Sequence, residues 1–135
     1  MIELGRLDHL GQVVDDLDAA IADYQRIFGM RVTLREELDA QAVEAAMLQA
    51  GNCRVELIRP TDPEGPVARF LEARGPGMHH IAFAVPDVAA ALAEVAAAGG
   101  ELIDDHPRVG LGGHLVAFVH PRSAHGVLIE LVEEP

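Results

Sequence analysis

The sequence predicts an α+β fold made of two copies of a βαβββ module. Three observations predict it. Leu7-Asp8-His9-Leu10-Gly11-Gln12-Val13-Val14-Asp15-Asp16-Leu17 recurs as Met78-His79-His80-Ile81-Ala82-Phe83-Ala84-Val85-Pro86-Asp87-Val88, and ungapped superposition sets His80 on His9 and Asp87 on Asp16. The ends of the copies also match, Val55-Glu56-Leu57-Ile58 with Ile129-Glu130-Leu131-Val132. Between the copies lies a proline- and glycine-punctuated stretch, Thr61 to Gly77. The boundaries are therefore module one at about 7–60, a connecting helix at about 61–77 and module two at about 78–135, in a single domain covering 1–135.

Taken in order, Leu7 to Val14 alternates as a strand, with His9, Gly11 and Val13 on one face. Asp15-Asp16 supplies an N-cap; Leu17, Ala20, Ile21, Tyr24 and Phe28 recur at helical spacing, and Gly29 stops the helix. Arg31 to Leu38 reads as an edge strand, Val43 to Leu48 as another ended by the Gly51-Asn52 turn, and Arg54 to Ile58 as the fourth. Proline in the first turn and glycine after the last make Val67 to Arg74 a short helix. In the second copy Asp87 caps a helix striped by Val88, Ala91, Leu92 and Val95. Glu101 to Ile103, Leu115 to His120 and Val127 to Val132 are its later strands. Pro107 to His114 is glycine-rich and aperiodic, the pattern of a lid loop.

A chain of 135 residues is long enough to bury a core without disulfide staples. Cys53 stands alone and reads as a small buried residue. There is no apolar signal core or membrane-length apolar run, so a cytoplasmic protein without membrane contact is expected. The formal net charge is −12, and the 10 basic residues, all arginine, are scattered. Nucleic-acid binding needs clustered cations, so no nucleic-acid partner is expected.

The chemistry follows from the repeat. Each copy carries a histidine at the start of its first strand and a glutamate inside its last, and imidazole and carboxylate together bind borderline divalent metals. A carboxylate between apolar neighbours needs a cation or a strong hydrogen-bond partner. Arg54 and Arg59 are possible ion-pair partners for Glu56, whereas Glu130 has no basic residue in its strand. Alternation sends His9, His80, Glu56 and Glu130 away from the helices into a shared concavity, with His79 on the opposite face. A site of two histidines and two glutamates, completed by water, would be open and Lewis-acidic. His114, His120 and His125 read as solvated turn residues, with Arg122 placed to meet a phosphate.

The doubled module resembles the vicinal oxygen chelate superfamily, which includes glyoxalase I, extradiol dioxygenases and bleomycin-resistance proteins. Within it the methylmalonyl-CoA epimerases are the nearest in pattern. The resemblance runs from about Leu7 to Val132. It is carried by Leu7-Asp8-His9, Val55-Glu56-Leu57, Gly75-Pro76-Gly77-Met78-His79-His80, Asp105-His106-Pro107-Arg108-Val109-Gly110, and His120-Pro121-Arg122-Ser123 with Gly126 to Leu131. It implies an open, mixed eight-stranded sheet that cups a metal site, with His9, Glu56, His80 and Glu130 as ligands of a divalent ion (Co²⁺, Mn²⁺, Ni²⁺ or Zn²⁺). It further implies a small-molecule CoA thioester as substrate, epimerisation by α-proton removal and return through a metal-stabilised enolate, and a homodimer.

Glu130 is the expected base on the metal side. Some family members carry a second catalytic glutamate in the third strand, where this chain has Ala45. The reading therefore assigns that role to Glu44, aimed at the metal by an irregularity between Gln41 and Glu44. The alternatives are another superfamily lyase or isomerase, such as a glyoxalase, and a metal-free drug-sequestering protein. The latter calls for an aromatic-lined cleft, and the chain has no Trp, one Tyr and four Phe.

Overall fold

The computed structural model describes residues Met1–Glu133; the last two residues assigned to module two, Glu134 and Pro135, lie outside the described residues. Its strands are β1 (Leu7–Val13), β2 (Arg31–Leu38), β3 (Val43–Ala50), β4 (Cys53–Pro60), β5 (Gly77–Val85), β6 (Arg108–Val109), β7 (Leu115–Val119) and β8 (Ile129–Glu133), and its helices are α1 (Leu17–Phe28), α2 (Pro66–Arg74) and α3 (Val88–Ala97). All eight strands belong to one mixed sheet, the predicted α+β class. The chain forms two compact units, residues 10–79 and residues 80 onward together with 1–9. The first nine residues thus group with the second module, and α2 with the first.

In the 10–79 unit the strand order is β2-β3-β4-β1. β1 and β4 are parallel, with Gly11 opposite Glu56, while β2–β3 and β3–β4 are antiparallel. Helix α1 begins where Asp16 accepts a hydrogen bond from the Ala19 amide (3.0 Å), and ends at Gly29, whose φ of 67° favours a residue without Cβ. Its stripe, Leu17 and Ile21, packs on Ala46, Leu48 and Leu57 from β3 and β4. Each fully buried leucine there contributes about 1.5–3 kcal/mol relative to exposure.

In the other unit the order is β5-β8-β7-β6, with β5 and β8 parallel and the rest antiparallel. Asp87 caps α3 through the Ala90 amide (3.0 Å), and Val88, Ala91 and Leu92 pack on Ala117, Val119 and Leu131. The residues before β1 are tied to β5, since the Gly5 amide donates to Ala84 O (2.8 Å) and the Ala84 amide to Arg6 O (3.0 Å).

Three local expectations change. Glu101 to Ile103 is not a strand: Leu102 makes only an isolated bridge to Val119. The pairing falls instead to Arg108–Val109, inside the segment expected to be a lid, and Leu111 in the following turn is buried. That segment is anchored by a strand pair and by the burial of Leu111. Cys53, expected to be buried, is half-buried, and its Sγ lies 3.7 Å from Arg54 O.

Candidate metal centre

Within the unit of residues 1–9 and 80 onward, three predicted ligands meet. His9 near the start of β1 and His80 in β5 are each 3% exposed, and Glu130 in β8 is 5% exposed. Register explains how Glu130 arrives: it stands opposite Ala82 on β5 and Phe118 on β7, on the face that carries His80. The alternate residues Ile129 and Leu131 turn to the α3 side, where they join the apolar core.

The donor atoms converge. His9 Nε2 lies 3.2 Å from His80 Nε2 and 2.9 Å from Glu130 Oε1, and His80 Nε2 lies 3.5 Å from that same oxygen. Despite these short distances Glu130 Oε1 is buried and receives no properly directed hydrogen bond. Lone pairs that point to a common place, rather than a donor facing an acceptor, are what a cation requires. Two imidazoles and a carboxylate are also a donor set that suits a borderline divalent metal. The residues present therefore fit such an ion.

Around these atoms the packing fixes orientation. Asp8 is buried, and its Oδ2 accepts a 2.7 Å hydrogen bond at His9 Nδ1, while Arg6 Nη2 holds its Oδ1 at 3.2 Å. A carboxylate on Nδ1 selects the tautomer that presents the Nε2 lone pair. Sequence reasoning missed this role because alternation assigns neighbouring residues to opposite faces. The Phe118 ring packs edge-on against His80 (5.5 Å between centroids) and is covered by the Arg108 guanidinium at 5.2 Å.

Glu56 belongs to the 10–79 unit, where it is buried at 8% exposure between Gly11 on β1 and Met47 on β3. Of the two arginines weighed against it, Arg59 is engaged elsewhere, by Glu44 at 2.7 Å. His79, predicted not to be a ligand, packs edge-on to Phe70 (4.9 Å), with Arg74 over that ring at 5.2 Å.

No bulge breaks β3 to aim Glu44 at the predicted ligands. The β3–β4 register runs unbroken from Val43–Pro60 to Ala50–Cys53, and the one shift lies in β2, between Val32 and Leu34. The strain before β3 is taken up instead by Ala42, with φ 55°, at the end of a short turn. Glu44 therefore shares the helix face with Ala46 and Leu48. It is clamped by Arg35 Nε (3.0 Å) and Arg59 Nε (2.7 Å), and these two hydrogen bonds hold its carboxyl below the ordinary value. Arg122 likewise pairs through two 2.8 Å bonds with Glu101, whose carboxyl it holds low. A phosphate contact at Arg122 would have to compete with that pair.

Comparison with known proteins finds relatives over nearly the whole chain. Residues 8–118 match the family described as the Glyoxalase/Bleomycin resistance protein/Dioxygenase superfamily. The ethylmalonyl-CoA/methylmalonyl-CoA epimerase of Cereibacter sphaeroides is 34% identical, over 95% of this chain and 97% of its own. Mitochondrial methylmalonyl-CoA epimerase of Homo sapiens is 34% identical over 95% of this chain and 73% of its own. Among solved structures, a variant methylmalonyl-CoA epimerase of Streptomyces coelicolor in complex with 2-nitronate-propionyl-CoA superposes with a TM-score of 0.93 at 37% identity, covering 98% of this chain and 99% of that one.

Proposed function

Because the chain belongs to the Glyoxalase/Bleomycin resistance protein/Dioxygenase superfamily, we propose that it is a divalent-metal-dependent epimerase of methylmalonyl-CoA, an isomerase that removes and returns the proton between a carboxylate and a thioester. The observation that carries this reading is the convergence of His9 Nε2, His80 Nε2 and Glu130 Oε1 in a buried place where Glu130 Oε1 finds no directed donor. The epimerases similar to nearly the whole chain support the substrate class, a CoA thioester.

In this reading His9, His80 and Glu130 hold the ion, with Glu56 as a fourth ligand. Glu56 is supported by its burial and by its register: it stands opposite Gly11, which lies on the same face of β1 as His9 two residues before it. A bound divalent ion supplies Lewis-acid stabilisation of the negative charge that develops on the substrate's carboxylate and thioester oxygens. Asp8 keeps the His9 ring turned with Nε2 forward, and Phe118 packs edge-on against the His80 ring. Glu130 is the carboxylate assigned to exchange the α-proton on its own side of the enolate, with the opposite side served by a second proton carrier.

The test is solvent deuterium incorporation. Methylmalonyl-CoA incubated with the protein in D₂O should gain deuterium at its α-carbon and lose its stereochemical purity, while succinyl-CoA and a hemithioacetal should not turn over. Turnover of the hemithioacetal with an inert methylmalonyl-CoA would reassign the chain to a glyoxalase-type reaction.

A further inference from the structure

Behind His9 stands a chain of two further side chains, all within the unit of residues 1–9 and 80 onward. His9 Nδ1 is bonded to Asp8 Oδ2 at 2.7 Å, and the other oxygen of that carboxylate, Oδ1, accepts from Arg6 Nη2 at 3.2 Å. The chain leads inward from the surface, for the Arg6 side chain is 59% exposed and that of Asp8 only 6%. Two residues apart, Arg6 and Asp8 have the spacing at which extended backbone brings side chains to one side. A buried carboxylate calls for a cation or strong donors, and Arg6 delivers a cation from the solvent side.

The same residue is fixed through its backbone. The Ala84 amide donates to Arg6 O at 3.0 Å and the Gly5 amide to Ala84 O at 2.8 Å, so residues 5 and 6 bracket Ala84 on β5, the strand that carries His80. The approach is close: a Cβ at Gly5 would stand 3.1 Å from Ala84 O. Arg6 is thus held by its main chain to the strand of one histidine and by its side chain to the carboxylate that orients the other. An exposed arginine without that double attachment would be an ordinary surface charge.

We propose that Arg6 is a positioning residue of the metal centre: by gripping Oδ1 it stops the Asp8 carboxylate from turning, which keeps Oδ2 on His9 Nδ1 and aims Nε2 at the place where His80 Nε2 and Glu130 Oε1 converge. The proposal rests on the metal part of the epimerase reading above and is independent of the substrate. An imidazole that is already turned loses less freedom when it takes up an ion, so the grip raises affinity without adding a ligand. Because Arg6 acts through Asp8, its effect on the ion vanishes when Asp8 no longer offers it an oxygen.

That dependence is a signature which a general contribution to folding lacks, and a double-mutant cycle reads it. Co²⁺ affinity is measured by titration of the visible spectrum for the parent, Arg6→Gln, Asp8→Asn and the double variant. Asp8→Asn keeps the shape of the side chain and an oxygen for His9 Nδ1, but replaces the oxygen that Arg6 holds by an amide NH₂. We expect Arg6→Gln alone to weaken Co²⁺ binding about 3–10-fold, less than the loss typical of a group bonded to the ligand itself. Arg6→Lys, which keeps the charge without the planar fork, should lie between it and the parent. In the Asp8→Asn background Arg6→Gln should change the affinity no further. Parent affinity in Arg6→Gln, or the same fold-loss with Asp8 as with Asn at that position, overturns the proposal. A parent protein that takes up no Co²⁺ refutes the metal reading, and this inference with it. A parent that binds Co²⁺ yet exchanges no α-proton refutes the epimerase reading, while the cycle still decides the role of Arg6.

Discussion

Asp8 and Glu44 are both acidic residues in strands, and their neighbours give them opposite tasks. Asp8 is buried against His9 Nδ1 at 2.7 Å, so it should tighten ion binding by fixing the ring and raising its basicity. Asp8→Ala should weaken Co²⁺ binding by about 10–100-fold in a spectroscopic titration, and unchanged affinity would remove Asp8 from the site. Glu44 instead bonds Arg35 and Arg59 on the helix face. Its carboxyl is held below the ordinary value of 4.5, so the stability it contributes is full above that pH and is lost as pH falls through the lower, folded value. Both arginines are about one-third exposed, which limits the contribution through solvent screening. Glu44→Gln should cost about 1 kcal/mol at pH 7 and little in strong acid, by urea melts at the two pH values, with deuterium exchange at the parent rate. At this scale the repeat marked His9, His80 and Glu130, and the structure brings their Nε2 and Oε1 atoms within 3.5 Å of one another. Asp8 carries no such mark, because its bond to the adjacent residue defies the alternation used to sort side chains. The role expected of Glu44 needed a bulge that the β3–β4 pairing does not contain.

At the scale of elements, β5 provides a direct contrast between neighbours. His80 lies beside Glu130, while His79 packs on Phe70 from α2. His80→Ala should therefore lose the metal and His79→Ala should keep it, as read by metal content after dialysis. Equal loss in both variants would contradict the assigned faces. Both long helices were legible because caps and apolar spacing agree: Asp16 with Leu17 and Ile21, Asp87 with Val88 and Leu92. The edge of the second unit was not legible. β6 has only Arg108 and Val109, too short for any periodicity, and Glu101 to Ile103 has strand-like residues but gains only one bridge, from Leu102. The glycines at 110, 112 and 113 signalled a loop, and the loop is there. What they could not signal is that Leu111 between them is buried.

For the whole molecule, the repeat in the sequence and the compact units in the structure divide the chain differently. The module boundary falls in the connecting helix, whereas the units divide at the histidines, between His9 and Leu10 and between His79 and His80. His9 falls in one unit with His80 and Glu130, as the repeat anticipates, while the tie of Gly5 and Arg6 to Ala84 lies before the repeat begins and leaves no mark in its pattern. The account turns on α-proton exchange that depends on this buried site. The most direct measurement is deuterium wash-in at the α-carbon of methylmalonyl-CoA, catalysed by protein stripped of metal, verified as metal-free, and then reloaded with Co²⁺. The account predicts exchange that is lost on stripping and regained on reloading. Full-rate exchange by the verified metal-free protein would contradict it.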